Sequence, residues 1–438
     1  MPPLPPAAPA SRRQVLVAGA GALTSIALGC RRDPAELPRE AAALRTDVPL
    51  RIVLCGTEAD RDAIARAWGA VTPQTLDTTL VKYKRNQTDG LIDQLVQHSE
   101  KSDVLIYPLL AVAELSSREL LVDFSKAEFE TTEQNDGPFH VALRNGMSRF
   151  GNRYVGLPVG ANQPAVLSAE SIDPLESWRD YHDWVGSLGG AAAEPLADGW
   201  AGAMFLWRAA STVDRGWLFD RQKLSPQIDS EPYHQVLAQM RDTAKTYVSK
   251  RSTPQEIWSN LLSGQLRGGI GLSIEDDSEE VRLAWNDLPN ESIPRVLPDP
   301  FSPLASMSQR CRQSAASKRF MRWLSGGDGS EIVHRQVLDM SATRVSNDAA
   351  ETSSQAVDER SRWLRRHLAT PNTLPTLQLL SAGQYYTALD RQIVGCLEGK
   401  SSPQEALAAI EKQWQDISDQ VGLEKQQRVW RQAFGMMS

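Results

Sequence analysis

The sequence has few residues of the kinds that bind metals, form disulfides or act in common catalytic motifs. It contains six histidines and four cysteines among 438 residues. The histidines lack HxxxH and HExxH spacing, and the cysteines form no CxxC pair. Neither G-x-S-x-G nor S-x-x-K occurs, so no familiar hydrolase nucleophile is marked. These absences argue against a metal site, a bound cofactor and an enzyme built on one of these motifs.

A basic surface and a membrane-spanning helix are also lacking. The formal net charge is −7, which gives the protein no electrostatic reason to bind nucleic acid. The long apolar run, Val15 to Leu28, has 14 residues, whereas a spanning helix needs about 20. This length suits the apolar core of an export signal better than a permanent transmembrane helix.

The residues around that run form an export pattern. Ser11-Arg12-Arg13 precedes the run, and Ala27-Leu28-Gly29-Cys30 ends it. The segment resembles a bacterial twin-arginine lipoprotein signal, which implies export, cleavage before Cys30 and acylation of Cys30. We therefore expect a signal over residues 1–29 and a tether over residues 30–48. The protein would then be a lipoprotein anchored on the periplasmic or extracytoplasmic face of a membrane.

Three cysteines remain once Cys30 is assigned to the lipid anchor. Cys55, Cys311 and Cys396 are an odd set, which allows at most one intrachain disulfide in an oxidising compartment. The sequence favours buried apolar thiols over a disulfide, but it leaves a pairing among the three open.

Strand and helix patterns alternate after the tether. Strands are predicted at Leu50–Cys55, near Thr79–Val81 and at Asp103–Pro108, from short runs rich in Val, Ile and Leu. Apolar residues at helical spacing lie between them, over about 60–71 and 90–98. This alternation predicts βαβ units and a mainly parallel sheet.

Helices become frequent further along the chain. Two of them begin with a hydroxyl residue, then Pro, then Glu at the third helical position. This is the pattern of a capping box, in which the hydroxyl and the carboxylate each bind a backbone N–H of the first turn. It predicts helices over about 254–263 and 403–420, and apolar spacing predicts others over 178–188 and 201–212.

Four segments carry a family resemblance, and they are Asn152–Pro158, Glu256–Gly271, Ala315–Leu324 and Glu398–Leu407. In this order they are similar to segments of the extracellular solute-binding lipoproteins of ABC transporters, in the sugar-binding (family 1) branch. The resemblance implies an α/β, two-lobe periplasmic-binding-protein fold of type II, with a hinge between the lobes and a ligand cleft. It places lobe one at 49–160 plus 294–338, and lobe two at 161–293 plus 339–438.

The resemblance also implies a function. The protein would bind a carbohydrate reversibly between its lobes, as a monomer, and present it to an ABC permease without catalysing a reaction. One alternative is an exported lipoprotein of the same fold that acts as a sensor or scaffold without transport. A periplasmic hydrolase with dispersed carboxylates is a weaker alternative.

Polar candidates for the cleft follow predicted strands or lie at the crossover between lobes. Glu58 and Tyr107 follow the first and third strands, at the sheet edge where open α/β sheets bind ligands. The alternative for the first of these positions is that Thr57 or Asp60 caps the next helix. Asn162 and Gln163 lie in the Gly- and Pro-rich crossover, and we expect both to contact ligand.

Aromatic candidates would stack on the apolar face of a sugar ring. Trp200 precedes an apolar helix, and Tyr385 and Tyr386 precede the final capped helix. The resemblance often places a stacking aromatic near this tyrosine pair. Paired tyrosines also occur in ferric-iron-binding relatives, which leaves iron as a minor alternative. We expect Trp323, in contrast, to be a core residue of its helix.

Overall fold

A computed structural model of the chain describes residues 46–160, 162–272, 283–291, 293–337, 339–345 and 359–436. Arg12, Arg13 and Cys30 lie outside these ranges, as does nearly all of the predicted tether. Within the described ranges no helix combines the length and the apolar character needed to cross a membrane.

The described residues form strands and helices with the following bounds. The strands are β1 (Leu50–Cys55), β2 (Leu76–Val81), β3 (Val104–Pro108), β4 (Arg149–Phe150), β5 (Arg153–Tyr154), β6 (Leu157–Pro158), β7 (Pro164–Ser168), β8 (Ala192–Ala193), β9 (Gly268–Leu272), β10 (Ala284–Asn286) and β11 (Pro303–Met307). The helices are α1 (Glu58–Val71), α2 (Leu91–Ser99), α3 (Val112–Ser117), α4 (Lys126–Asp136), α5 (Val141–Gly146), α6 (Trp178–Ser187), α7 (Ala201–Thr212), α8 (Glu231–Ala244), α9 (Pro254–Leu262), α10 (Ser314–Leu324), α11 (Glu331–Gln336), α12 (Glu359–Leu368), α13 (Ala382–Leu397), α14 (Pro403–Val421) and α15 (Leu423–Ala433).

Two main sheets organise these elements. The first has five strands in the order β2-β1-β3-β11-β6, with β1 parallel to β2 and to β3. The second has four strands in the order β10-β7-β9-β8. The chain passes from the first sheet to the second between β6 and β7, and returns between β10 and β11. Both connecting segments therefore lie beside the junction of the two sheets.

The prediction of a mainly parallel sheet is only partly right. β11 runs antiparallel to both β3 and β6, and β7 runs antiparallel to both β9 and β10. These pairings join strands far apart in sequence. The alternation of neighbouring strands and helices carries no information about such pairings, so it detected only the βαβ units near the start of the sheet.

Local helix signals were accurate. Both predicted capping boxes are present, with the Thr253 and Ser402 hydroxyls accepting from the backbone N–H of Glu256 and Glu405. Trp323 is buried on α10, where its ring lies 5.0 Å from that of Trp68. The prediction of a core tryptophan is therefore confirmed.

The cysteine alternatives are resolved in favour of thiols. Cys55, Cys311 and Cys396 are all free, and Cys396 is fully buried. Burial raises the pKa of each thiol, which disfavours the reactive thiolate.

Candidate functional site

A cavity of about 500 Å³ opens where β1 and β2 end. Both strands are parallel, so their carboxyl ends meet at one edge of the sheet, the usual position of a ligand in an open α/β sheet. The turn after β1, the loop after β2 and two later segments around Phe301 and Asp339 line the cavity. We call it the cleft cavity.

The rim of the cleft cavity holds charged side chains. Glu58 lies there and pairs with Lys82, their oxygen and nitrogen 2.8 Å apart. The hydrogen bond from Lys82 lowers the pKa of Glu58, so the carboxylate stays ionised. Thr57 and Asp60 form a capping box on α1, with the Thr57 N–H donating to Asp60 Oδ2 at 2.7 Å. The capping interpretation is thus confirmed, and Glu58 lies at the cavity as well.

Asp339 adds a further carboxylate to the lining of the cleft cavity. Asp339 Oδ1 accepts a hydrogen bond of 3.0 Å from Asn162 Nδ2. Burial raises the pKa of Asp339 to about 6, because desolvation disfavours the charged form. Asn162 is buried, and its Oδ1 has no hydrogen-bond partner among the described residues. Asn162 does not itself line the cavity, so its visible role is to hold the Asp339 carboxylate.

Aromatic rings form one wall of the same cavity. Tyr83 and Phe301 are nearly parallel, with centroids 6.2 Å apart and an interplanar angle of 7°. Both line the cavity. Aromatic rings and carboxylates that line one cavity suit a small molecule with both an apolar face and hydroxyl groups.

Arg85 closes the cavity on the side toward the second sheet. Its guanidinium makes a bidentate pair with Asp299, with nitrogen–oxygen distances of 2.7 and 2.9 Å, and its Nε donates to the carbonyl of Gly199 at 3.1 Å. The same guanidinium lies 3.6 Å from the centroid of the Trp200 ring and 4.3 Å from that of Phe301. The loop after β2 is therefore fixed to the start of α7.

Trp200 is adjacent to the cleft cavity but is covered. Its ring is buried, and the guanidinium of Arg85, which lines the cavity, lies over one face of it. Gly199 and Gly202, on either side of the start of α7, each donate a backbone N–H to Asp390. This fixes the position of the tryptophan at the start of the helix.

The predicted tyrosines have core environments. Tyr107 and Tyr385 are both 0% exposed. The Tyr107 hydroxyl hydrogen-bonds to Ser306, and that of Tyr385 to Ser418. Neither ring has a free face in this conformation, because both rings pack inside the hydrophobic core around the sheets. Tyr386 is also buried, and its hydroxyl accepts from the Leu377 N–H at 2.9 Å.

Gln163 follows Asn162 but does not line the cleft cavity. It lines a second cavity of about 760 Å³, bordered by Trp207, Trp285 and the end of α12. This cavity is larger, but it contains neither Glu58 nor Asp339. Of the predicted residues, the structure places Glu58 at the cleft cavity and Asn162 behind it, in contact with Asp339. Trp200 is covered, and the others lie elsewhere.

The sequence interpretation missed Tyr83, Arg85 and Asp339. Tyr83 and Arg85 follow β2 in the same way that Glu58 follows β1. The rule that found Glu58 would therefore have found them, had it been applied after the strand predicted near Thr79–Val81. Asp339 offered no signal, because it lies in an irregular segment that reaches the cavity only through tertiary folding.

Metal chemistry finds no support in this part of the molecule. Among the described residues, no group of three or more histidine, cysteine, aspartate or glutamate side chains is arranged to hold a metal ion. In particular, the hydroxyls of Tyr385 and Tyr386 are engaged by protein groups. The cavity instead offers hydrogen-bonding groups and aromatic surface, which suit non-covalent binding of a small polar molecule.

Solved structures share this architecture. The chain is similar to a maltose-bound MalE3 of T. maritima, at 13% identity and a TM-score of 0.61, over 84% of this chain and 99% of that one. It is similar to the sugar-binding protein MalE of Xanthomonas citri, at 12% identity and a TM-score of 0.64, over 85% and 98% of the two chains. A D-mannitol-bound solute-binding protein of Agrobacterium vitis S4 matches at 13% identity and a TM-score of 0.61, over 86% and 99%.

No protein-family model matches the chain, and no curated protein matches it. The structural matches nevertheless extend over almost the whole length of each neighbour. The predicted fold class is confirmed: the chain has the two-lobe α/β fold of the sugar-binding solute-binding proteins of ABC transporters.

Proposed function

We propose that the protein binds a carbohydrate or polyol reversibly in the cleft cavity and does not transform it. The observation that carries this proposal is the position of that cavity, at the carboxyl ends of parallel strands and between an aromatic wall and carboxylates. The neighbours of this fold are binding proteins, and three of their structures contain maltose, maltotetraose or D-mannitol.

Transport is the role that fits such binding. In our proposal the protein is the substrate-binding component of an ABC importer, works as a monomer, and is held at the membrane by a lipid on Cys30. Ligand contacts with both lobes would favour the closed form, which a permease would recognise. The predicted lobe limits, 49–160 plus 294–338 and 161–293 plus 339–438, belong to the same proposal. The two main sheets support them, since each draws its strands from one lobe.

A sensor or scaffold without transport is the second candidate. The observation in its favour is that groups of the protein itself already join the two sides of the cleft, through Arg85, Asp299 and Gly199. A protein held closed by its own side chains would change its conformation little when a ligand binds. A permease could then not distinguish the bound form from the free one. A hydrolase has less support, because the neighbours are binding proteins.

Thermal unfolding against a panel of monosaccharides, polyols and oligosaccharides tests the proposal. A ligand at about 100 times its dissociation constant stabilises a protein by about 2.7 kcal/mol, which is a readable shift. We expect a shift with one class of carbohydrate, and loss of that shift in Asp339→Ala. Asp328→Ala is the matched control, because Asp328 is exposed and does not line the cavity. A folded protein that shifts with no member of the panel would contradict carbohydrate binding and favour the sensor.

A further inference from the structure

Arg85 occupies a place built for a planar group. Its guanidinium lies between the rings of Trp200 and Phe301, at 3.6 and 4.3 Å from their centroids. Two of its nitrogens donate hydrogen bonds to the Asp299 carboxylate, and the third donates to the Gly199 carbonyl. Aromatic faces with a carboxylate and a carbonyl at the edge are complementary to a guanidinium in shape, charge and hydrogen bonding.

The backbone around Arg85 permits this close approach. Gly199 has a φ of +84°, and a Cβ added there would lie 2.7 Å from Arg85 Cβ. The same loop makes a second close contact at Thr88, whose Oγ1 would lie 2.4 Å from a Cβ added to Gly383. Glycine at both positions lets the loop after β2 lie directly against α7 and α13. The position of Arg85 is thus fixed from two sides.

A neutral ligand has no means of replacing this arginine. The Asp299 side chain is 0% exposed, and that of Arg85 is 12% exposed. If a sugar ring took the place of the guanidinium on Trp200, Asp299 would remain buried without a cation. An uncompensated buried carboxylate costs more than a sugar ring gains by stacking. Arg85 therefore stays in place when a neutral ligand enters the cleft cavity.

We propose that Arg85 is a specificity-determining residue, which blocks Trp200 to neutral ligands and confines them to the cleft cavity of about 500 Å³. The part of this proposal that concerns carbohydrates rests on the proposed function. A short sugar or polyol stays within the cavity that Asp339, Tyr83 and Phe301 line. A longer oligosaccharide, which would have to extend past Arg85 onto Trp200, is rejected.

The test removes the guanidinium together with the charge that it neutralises. The double variant Arg85→Ala/Asp299→Asn leaves no unpaired carboxylate behind. Its matched control is Arg153→Ala/Asp123→Asn, a surface pair in which the guanidinium also lies over an aromatic ring, that of Phe150, at 5.6 Å. Arg85→Lys is a milder second variant, because lysine keeps the charge but lacks the planar fork. Circular dichroism confirms that each variant is folded.

Acrylamide quenching measures access to Trp200 without any ligand. The contribution of Trp200 is obtained by repeating each measurement in a Trp200→Phe background. We expect Trp200 to be shielded in the unmodified protein and in the control, at least threefold more quenchable in the double variant, and intermediate in Arg85→Lys. Equal shielding in all of them would overturn the proposal, since Arg85 would then not be what covers the ring.

Titration calorimetry with maltose and maltotetraose separates this proposal from the proposed function. We expect the ratio of maltotetraose affinity to maltose affinity to rise at least tenfold in the double variant and to stay unchanged in the surface control Arg153→Ala/Asp123→Asn. An unchanged ratio in the double variant beside exposed Trp200 would contradict a role in specificity. If no protein bound either sugar while Trp200 became exposed, the carbohydrate function would fail and the blocking of Trp200 by Arg85 would stand.

Discussion

Two buried arginine–carboxylate pairs in this molecule have nearly the same local chemistry. Arg208 pairs with Glu194, with 1% and 0% of their side chains exposed, and its guanidinium lies 4.0 Å from the Trp178 ring centroid. Arg85 pairs with Asp299, with 12% and 0% exposed, and lies 3.6 Å from the Trp200 ring centroid. In each case a carboxylate and a tryptophan face hold a guanidinium away from water.

Their surroundings differ. Arg208 and Glu194 are 14 residues apart, within the core around the second sheet, and Arg208 Nε and Nη1 have no partner among the described residues. Arg85 joins segments 114 and 214 residues away, and it borders a cavity. The first pair braces one core. The second joins two parts of the chain at the place where a ligand would enter, so the same chemistry acquires a role in selection.

The largest effect should come from breaking the enclosed pair. We expect Arg208→Ala to lower the free energy of unfolding by about 3–5 kcal/mol, because Glu194 would remain buried without its cation. Urea unfolding at neutral pH measures this loss. Arg208→Met combined with Glu194→Gln should restore most of it. Stability within about 1 kcal/mol of the unmodified protein in Arg208→Ala would show that the pair is not a brace.

Breaking the pair at the cavity should cost less. We expect Arg85→Ala to lower the free energy of unfolding by about 2–3 kcal/mol, since water in the neighbouring cavity can reach the abandoned Asp299. Addition of Asp299→Asn should recover at least half of the loss in the same urea experiment. If Arg85→Ala lowered the free energy of unfolding as much as Arg208→Ala does, the two pairs would not differ in their contribution to stability.

The close contact between Gly199 and Arg85 is a further difference between the two arginine pairs. Gly199→Ala would place a Cβ 2.7 Å from Arg85 Cβ at a φ of +84°, and we expect a loss of about 2 kcal/mol from strain and displacement of the loop. Gly189→Ala is the control, because Gly189 has a φ of +62° and no atom within 4 Å of the added Cβ. It should lose about 1 kcal/mol from backbone strain alone. Equal losses in urea unfolding would mean that the close approach contributes nothing.

The smallest effect concerns Asp339, whose pKa is raised by burial more than nearby Arg85 lowers it. Its pKa is raised from 3.8 to about 6, so its neutral form favours folding, and this contribution is lost as the pH rises from about 4 through 6. We expect Asp339→Asn to stabilise the protein by about 1–2 kcal/mol at pH 7.5, and by nothing measurable near pH 4. Urea unfolding across this range tests the sign. A gain that does not change with pH would contradict it.

Prediction from the sequence succeeded where the signal was local. The capping boxes at Thr253 and Ser402 depend on residues three apart, and the position of Glu58 depends on the strand just before it. It failed where contacts are distant. The pairing of Arg85 with Asp299 spans 214 residues, and no local pattern distinguishes it from a solvated arginine.

The predictions of ligand-stacking aromatics were limited in the same way, by contacts between distant residues. Tyr385 was predicted from the family resemblance, and Trp200 from its place before an apolar helix. What decides their role is which face is free, and the core covers Tyr385 while Arg85 covers Trp200. Packing of this kind is set by residues far away in sequence, so it had to be read from the structure.

Ligand binding in the cleft cavity is tested by calorimetric titration of the purified protein with D-mannitol and with maltose, performed in parallel on Asp339→Ala and on Asp328→Ala. The account predicts saturable binding of at least one of these compounds at one site per chain, retained in Asp328→Ala and lost in Asp339→Ala. Binding that Asp339→Ala leaves unchanged would place the ligand outside the cleft cavity and contradict the account.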